Sequence, residues 1–393
     1  MISNKKFVNI NIQPSSDVSI NATRDTMVLL TNETGLVVKN DSATTFTFTI
    51  WDYNDNEDIV TNGLYSKADN TTYVPSTMTH TLKYLDMFFK NGGLKCKIIT
   101  GITYTYVDNV FTTTNIENAI KSLDDELIIV AYADSNTTIT DDAQTTTHYI
   151  YQIMSQVAKS LNNDESIYGI NEKLILASSL TFSDITDIKN FIAKYSFVEG
   201  AEMTIGAYLT QINAYGINTI QDYMFTKENI NPEELSNENY DSIIDNCYNV
   251  DITLQDIIRN CGGNCKDGDS IINNYTRIIL HQTLTDRLIA LLTSKIKGVD
   301  GVSKIYATIV DELERYIRNG YLVSDIYDKE TLVIDNQVII TKGTPLPKGY
   351  YVKILPMSTL TSEQRKNGYC PPIYIVIADQ YSIRVINIEG EVI

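Results

Sequence analysis

Short apolar runs alternate with amphipathic segments through the first half of the chain. The apolar runs, typical of buried strands, lie at residues 27–30, 96–100, 126–132 and 174–177. The segments with helical spacing run from Pro75 to a stop at Asn91-Gly92-Gly93, and then over 115–122, 143–162, 184–195 and 201–214. This alternation indicates an α/β layer built on a largely parallel sheet, and it predicts an α/β domain over residues 25–225.

The second half of the chain has a different pattern. Residues 226–270 are acidic, rich in Asn and weakly periodic, and they predict an irregular connection or a small insertion. Apolar stripes at 279–292 and 305–317, separated by a glycine turn, predict a helical hairpin, and Asn319-Gly320 is expected to end its second helix. Strand-like runs follow at 331–334, 338–340 and 350–354, and residues 335–337 are expected to form a hairpin turn between the first two. The sequence thus predicts a C-terminal domain over 271–370, and the fold as a whole is α+β with an α/β core.

Strand-forming sequence also lies near both ends of the chain, in an N-terminal arm (1–24) and a C-terminal arm (371–393). Residues 7–13 alternate between apolar and polar, and two strand-like runs fill 373–377 and 383–388. Such strands either join the sheet of their own subunit or extend the sheet of a neighbour. The candidate intersubunit residues are Phe7, Val8, Ile10, Ile12, Ile373, Ile375, Ile377, Ile383, Val385, Ile386 and Ile388. The candidate hinges are Pro14, Ser15, Pro371 and Pro372.

Charge and hydropathy exclude several kinds of partner. The chain has 393 residues and a formal net charge of −18, with no basic run, so nucleic acid is not expected as a direct partner. The acidity favours solubility, or electrostatic matching with another surface in an assembly. No segment has the ~20 apolar residues of a membrane span, and the N-terminus does not resemble a signal peptide. We therefore expect a protein made in the cytosol and not inserted in a membrane.

The cysteines offer one candidate metal motif. Their odd number, in a chain without a predicted signal peptide, favours free thiols. Cys261 and Cys265 could form half of a zinc site, but His80, His148 and His281 have no ligand spacing to a partner. A glycine-rich loop that happens to contain two cysteines is therefore the favoured interpretation. We expect no metal and no cofactor.

A search for catalytic motifs finds no nucleophile elbow, zinc-protease motif or phosphate-binding loop. The carboxylates at Asp124-Asp125-Glu126 and Asp141-Asp142 are typical of caps and solvated loops, and His148 of a surface or core edge. We predict that the protein is not an enzyme. The alternative is a cytosolic α/β enzyme whose site would be lined by Asp124, Asp142 and His148.

The order of these elements resembles the sheath proteins of contractile-tailed bacteriophages, and the likeness covers most of the chain. It is strongest in the closing portion, and no single motif is diagnostic. The basic, Ala-rich stretch that many relatives carry before the last hairpin is short and mixed here. The segments that carry the likeness are 7–12 followed by Pro14, 198–201 and 216–219, 286–322, 349–352, 362–366, 371–373 and 388–393.

The resemblance implies a mechanism and a set of partners. Sheath subunits form a homo-oligomer of six-fold rings, stacked helically around a tail tube, and contraction drives the tube through the host envelope. Terminal arms link the subunits by β-strand exchange. The implied partners are the tail tube, baseplate and tail terminator proteins, and the implied location is the phage tail of a virion assembled in the host cytoplasm. The sheath of a phage-derived bacteriocin or injection system is the alternative, which the sequence does not separate from a phage sheath.

Overall fold

In a computed structural model the chain from residue 23 onward divides into two units, Thr23–Ile272 (the α/β unit) and Asn273–Ile393 (the C-terminal unit). The predicted segments 25–225 and 226–270 both fall in the α/β unit. The structure describes residues 25–34, 37–38, 45–49, 72–73, 77–107, 110–124, 127–135, 139–141, 144–146, 150–163, 173–181, 190–215, 232–254, 256–262, 271–292, 298–334 and 336–378.

A six-stranded sheet forms the centre of the α/β unit. Its strands are β1 (Thr26–Thr31), β3 (Thr45–Thr49), β5 (Lys95–Ile99), β8 (Ile129–Ala133), β11 (Leu174–Ser179) and β12 (Phe191–Tyr195). They are arranged in the order β12-β11-β8-β1-β5-β3, and neighbours run parallel except for β3, which is antiparallel to β5 at the edge. The predicted α/β class with a largely parallel sheet is confirmed.

Helices cover both faces of this sheet. They are α1 (Thr79–Lys90), α2 (Thr114–Lys121), α3 (Ile150–Asn163) and α4 (Met203–Tyr215). Ile116 of α2 and Met154 of α3 join a core cluster with Val28 and Val130 of the strands. Met27 points to the opposite face, because side chains alternate along a strand. There Gly206 of α4 lies so close that a Cβ atom would stand 2.2 Å from the Met27 sulfur.

Three small antiparallel two-stranded sheets also belong to the α/β unit. They pair β2 (Val37–Val38) with β4 (Thr72–Tyr73), β6 (Thr105–Val107) with β7 (Val110–Thr112), and β9 (Ile139–Asp141) with β10 (Gln144–Thr146). The helix predicted from residue 143 therefore begins only at Ile150, because 144–146 pairs as a strand.

The residues predicted as an irregular connection contain regular structure, so the prediction is wrong for 237–261. A helix, α5 (Asn237–Asp245), precedes an antiparallel hairpin of β13 (Val250–Leu254) and β14 (Ile257–Cys261). Asn249 extends the central sheet beyond β12, since Tyr195 N donates to Asn249 O (2.8 Å) and Asn249 N to Ala193 O (3.0 Å). These elements are short, and α5 buries only Ile243, so their periodicity is weak.

The predicted helix over 184–195 is also wrong in its second half, where residues 191–195 form β12 and all five are buried. Lys194 interrupts the apolar run and gives it an apparent helical spacing. The lysine is fully buried because its Nζ lies 2.7 Å from the Asp251 Oδ2 of β13, which is itself only 3% exposed. A long-range ion pair therefore decides the local structure here.

Two long helices open the C-terminal unit, α6 (Ile271–Leu292) and α7 (Gly298–Arg318), as predicted. Glu312 of α7 is fully buried and lies 3.0 Å from Arg287 Nε of α6 and 2.5 Å from Arg315 Nη2. Gly320 ends α7 with a φ of 77°, and Tyr321 N donates to Tyr316 O at 3.0 Å, which is the glycine stop that the sequence predicts.

The rest of the C-terminal unit is mainly β-structure. β15 (Asp325–Ile326) pairs with β18 (Pro345–Leu346), and β16 (Leu332–Ile334) with β17 (Gln337–Ile340) around the predicted turn. β19 (Tyr350–Ile354) pairs with β20 (Ile373–Ile377), and α8 (Ser362–Lys366) lies between these two in the chain. The β-strands predicted after the helical hairpin are therefore confirmed.

We predict that Lys194→Met destabilises the α/β unit by about 3–5 kcal/mol, because it leaves the buried Asp251 carboxylate without its cation. The measurement is chemical denaturation followed by circular dichroism. The matched control is Lys83→Met, since Lys83 is 56% exposed and pairs with Glu199 at 2.7 Å. A pair this exposed contributes about 0–1 kcal/mol. Equal losses in the two variants would contradict the prediction.

Candidate strand-addition site

β19 and β20 form a two-stranded antiparallel sheet in which Tyr350 lies opposite Ile377 and Ile354 opposite Ile373. Most side chains on the two strands are half-buried, and Ile375, at 7% exposed, is the most buried of them. An isolated two-stranded sheet is marginally stable in water, so its stability depends on what surrounds it.

The bonds at the two ends of this ladder fix which backbone groups point outward. Ala378 N donates to Gly349 O (2.7 Å), and Leu355 N donates to Pro372 O (3.0 Å). Hydrogen-bonded and non-hydrogen-bonded pairs alternate along an antiparallel ladder. The non-hydrogen-bonded positions of β20, whose N–H and C=O groups point away from β19, are therefore Ile373, Ile375 and Ile377.

In the described part of the chain, no strand pairs with this outer edge of β20. An edge of this kind presents alternating N–H and C=O groups at the spacing that an added strand requires. The three residues that form it are ones the sequence analysis assigned to intersubunit contact. The structure shows their pairing with β19 of the same chain, and their contact with a neighbour stays a prediction.

A close backbone approach holds the start of β19. Gly349 has a φ of 72°, and a Cβ atom there would lie 2.5 Å from the carbonyl oxygen and 2.7 Å from the nitrogen of Val323. Val323 N in turn donates to Ala378 O at 3.2 Å, just beyond β20. Only glycine fits between these groups, so Gly349 joins both strands of the hairpin to the segment after α7.

Polar contacts between α7 and β19 reinforce this position. Glu314 of α7 accepts from Lys348 Nζ (2.5 Å) and from Tyr350 Oη (2.8 Å). These two hydrogen bonds lower the pKa of Glu314. Burial, and then the bond to this carboxylate, raise the pKa of Tyr350 to about 12. Glu314 therefore stays ionised and Tyr350 neutral over the physiological pH range, and the contact persists.

The connection from β19 to β20 is ordered by its own hydrogen bonds. Thr361 and Gln364 form a capping box at the start of α8, which the T-x-x-Q spacing encodes. Arg365 donates to Leu360 O (2.6 Å) and to Met357 O (3.2 Å). The guanidinium group thus closes the loop that returns the chain to β20.

The predicted hinges at the C-terminal arm lie at the start of β20. Pro371 is buried and Pro372 exposed, and the carbonyl of Pro372 is held by Leu355 as the first rung of the ladder. Their role as hinges stays a prediction. The other predicted arm and hinge residues lie outside the described residues: Phe7, Val8, Ile10, Ile12, Pro14, Ser15, Ile383, Val385, Ile386 and Ile388.

The structure describes only some of the residues that the sequence offered as candidates for catalysis or metal binding. Asp124 is exposed after α2, and Asp141 lies in β9. Cys261 is buried, and its burial raises the thiol pKa to about 11. Among the residues that the structure describes, no group of three or more His, Cys, Asp or Glu side chains is placed to hold a metal ion. Outside the described residues lie Asp125, Glu126, Asp142, His148 and Cys265.

Comparison with solved structures gives the fold. The chain is similar to a chain of the anti-feeding prophage (AFP) helical sheath in its contracted state, with a TM-score of 0.58, 14% identity, and coverage of 98% of this chain and 97% of that one. A chain of the six-fold symmetrised AFP baseplate matches with a TM-score of 0.60 and 14% identity, and the match covers 98% of each chain. A chain of the contracted PVC sheath complex, from an extracellular contractile injection system, matches with a TM-score of 0.53 and 12% identity. The match covers 98% of this chain and 96% of that one.

The C-terminal unit also matches by sequence. Residues 272–392 match the family model described as E217 tail sheath protein gp31-like, C-terminal domain. The chain has a tail-sheath fold. Tail sheath proteins are structural and non-enzymatic, in agreement with the expectation from the sequence. No curated protein matches this sheath-like chain by sequence. None of the helices in its described part is both long and apolar enough to cross a membrane.

We predict that Gly349→Ala destabilises the C-terminal unit more than Gly343→Ala does. Both glycines have positive φ, so both variants carry the ~1 kcal/mol strain of a side chain there. Only at Gly349 does the new Cβ meet backbone, whereas nothing lies within 4 Å at Gly343. The added clash costs about 1–3 kcal/mol. Thermal unfolding measures the difference, and equal midpoints would show that the approach to Val323 relaxes freely.

Proposed function

We propose that this protein is the sheath subunit of a contractile phage-like tail. In this proposal, copies polymerise as six-fold rings stacked helically around a tail tube, and contraction of the sheath drives the tube through an envelope. The observation that carries it is the fold shared over nearly the whole chain with a subunit from a contracted helical sheath. The sequence match of residues 272–392 to a tail sheath domain supports it independently.

Strand exchange at β20 is the proposed link between copies. An arm strand from a neighbouring copy would bond to the outward N–H and C=O groups of Ile373, Ile375 and Ile377. Hydrogen bonds of this kind contribute about 0.5–1.5 kcal/mol each, and burial of alternate apolar side chains adds to them. The N-terminal arm (7–13) and the run at 383–388 have the alternation or β-branched composition for this role.

This arrangement suits a contractile assembly. The donor arm and the acceptor edge are different surfaces, so the contact is heterologous and propagates instead of closing as a dimer. A shared sheet survives large rigid-body motion when short connectors absorb the dihedral changes. In the proposal Pro14 and Ser15 serve as such a connector at one end and Pro371 and Pro372 at the other.

Two kinds of particle fit the proposal. One is the tail of a bacteriophage virion, and the other is a bacteriocin or injection system, which the similarity to AFP and PVC chains favours. In either case the proposed partners are the tail tube protein, a baseplate and a tail terminator. Neighbouring genes for a capsid and a terminase would identify a phage.

We expect the purified chain to form tubes or stacked six-fold rings in negative-stain electron microscopy. Deletion of residues 1–13 should leave a folded monomer that no longer polymerises. Tubes formed by the truncated chain would rule out strand donation by that arm. Loss of folding on truncation would instead show that the strand pairs within its own subunit.

The β20 edge is tested by Ile377→Pro. Proline removes the outward N–H at that position and leaves the ladder to β19 intact, so the subunit folds but loses one bond to the added strand. We expect loss of polymer in sedimentation assays. The matched control is Ile377→Ala, which truncates the side chain but keeps the N–H and should still polymerise. Equal polymerisation by the two variants would exclude this edge as the acceptor.

A further inference from the structure

Charge is divided unequally between the two units. Residues 23–272, the α/β unit, contain 15 Lys and Arg against 35 Asp and Glu, a net charge of −20. Residues 273–393, the C-terminal unit, contain 14 against 13, a net charge of +1. The acidity of the protein is therefore a property of one unit, although the chain as a whole carries −18.

Four of the described lysines of the α/β unit pair with carboxylates of the same unit. Lys83, Lys90 and Lys95 lie 2.6–2.7 Å from Glu199, Asp86 and Asp25, and Lys194 pairs with Asp251. Each of these pairs cancels one carboxylate charge. With 15 cations for 35 carboxylates, 20 carboxylate charges of the unit have no counterpart within it.

A group of exposed carboxylates without ion pairs to other described residues lies at α5. Glu238, Asp241 and Asp245 follow one another at helical spacing on its surface, Glu234 lies just before the helix, and all four are exposed. α5 contains no Lys or Arg, and none of the four carboxylates has an ion pair among the described residues. Like charges at this spacing destabilise a helix, and an acid in the last turn opposes its dipole.

Two carboxylates of α7 in the C-terminal unit are arranged differently. Asp311 lies 2.5 Å from Arg287, and Glu314 lies 2.5 Å from Lys348. The helix ends with Arg315 and Arg318, which suit its dipole. The two units thus differ in how their surface charges are paired as well as in net charge.

We propose that this division sets the salt dependence of self-association. On the proposed function, the near-neutral C-terminal unit carries contacts that hold copies together. The α/β unit then carries a repulsion between copies that added salt removes, and the α5 face is one source of it. That face acts as a repulsive element and not as a binding site.

The range of the repulsion follows from screening. The Debye length is about 30 Å at 0.01 M salt and about 8 Å at 0.15 M. At low ionic strength the acidic units of neighbouring copies therefore repel across much of a subunit. At physiological salt only charges that lie close together still repel one another. The attraction between C-terminal units is then stronger than the remaining repulsion between α/β units.

Two variants of the full chain test the proposal, both of which change the net charge from −18 to −14. The first neutralises the α5 face with Glu234→Gln, Glu238→Gln, Asp241→Asn and Asp245→Asn. The matched control neutralises four exposed acids of the C-terminal unit with Asp300→Asn, Asp328→Asn, Glu330→Gln and Glu363→Gln. The measurements are the critical concentration for polymer formation and the second virial coefficient of the unassembled protein, both across NaCl concentration.

We expect the critical concentration of the wild-type chain to fall as salt rises. At about 0.02 M salt the α5 variant should polymerise at a concentration roughly threefold or more below that of the control. Its virial coefficient should also be the less repulsive of the two. Indistinguishable salt profiles for the two variants would overturn the proposal. Absence of polymer at every salt concentration would contradict the proposed function, whereas the virial coefficients would still decide the inference.

Discussion

The proposed assembly depends on one constraint. The backbone N–H and C=O groups at the outer edge of β20 need hydrogen-bond partners. Ile373, Ile375 and Ile377 direct their N–H and C=O groups away from β19, and no described strand of the chain meets them. Such groups favour an added strand over solvent once its apolar side chains are also buried. β19 and β20 therefore form a two-stranded sheet that an added strand would extend. Its two strands are too few to be stable without support, and the C-terminal unit supplies that support.

The support comes from tight packing and from charge. Gly349 lets the backbone of β19 touch Val323, and Val323 is bonded to the residue that follows β20. Glu314 joins α7 to β19 through Lys348 and Tyr350, while the buried Glu312 joins α7 to α6 through Arg287. A force applied to the edge of β20 would thus reach the helical hairpin through backbone contacts and ion pairs. In the proposed assembly, these contacts would hold the edge of β20 in place before a strand binds, which lowers the entropic cost of binding.

The sequence predicts most of this fold where a segment is long or strongly periodic. The buried strands, α1 to α4, the helical hairpin and the β-region after it all follow from the spacing of apolar residues, and the glycine stop at Gly320 from turn chemistry. It fails at 191–195 and 237–261, because tertiary contacts decide those segments. Lys194 fits a buried strand only when Asp251 is beside it, and the two lie 57 positions apart. The outward residues of β20 could be named from the sequence, but the register that turns them outward required the structure.

In the proposed assembly, strand addition through backbone groups would allow the sequence to differ this far while the fold is shared. Every residue except proline supplies the same N–H and C=O, so an acceptor edge places few demands on side chains beyond alternation. Identities of 12–14% at TM-scores of 0.53–0.60 are consistent with such weak demands. The backbone bonding of the β20 edge places no constraint on surface charge elsewhere. The α/β unit can therefore carry a net charge of −20 without affecting that edge. On this view the backbone decides how copies join, and the acidic unit decides under what ionic conditions they do so.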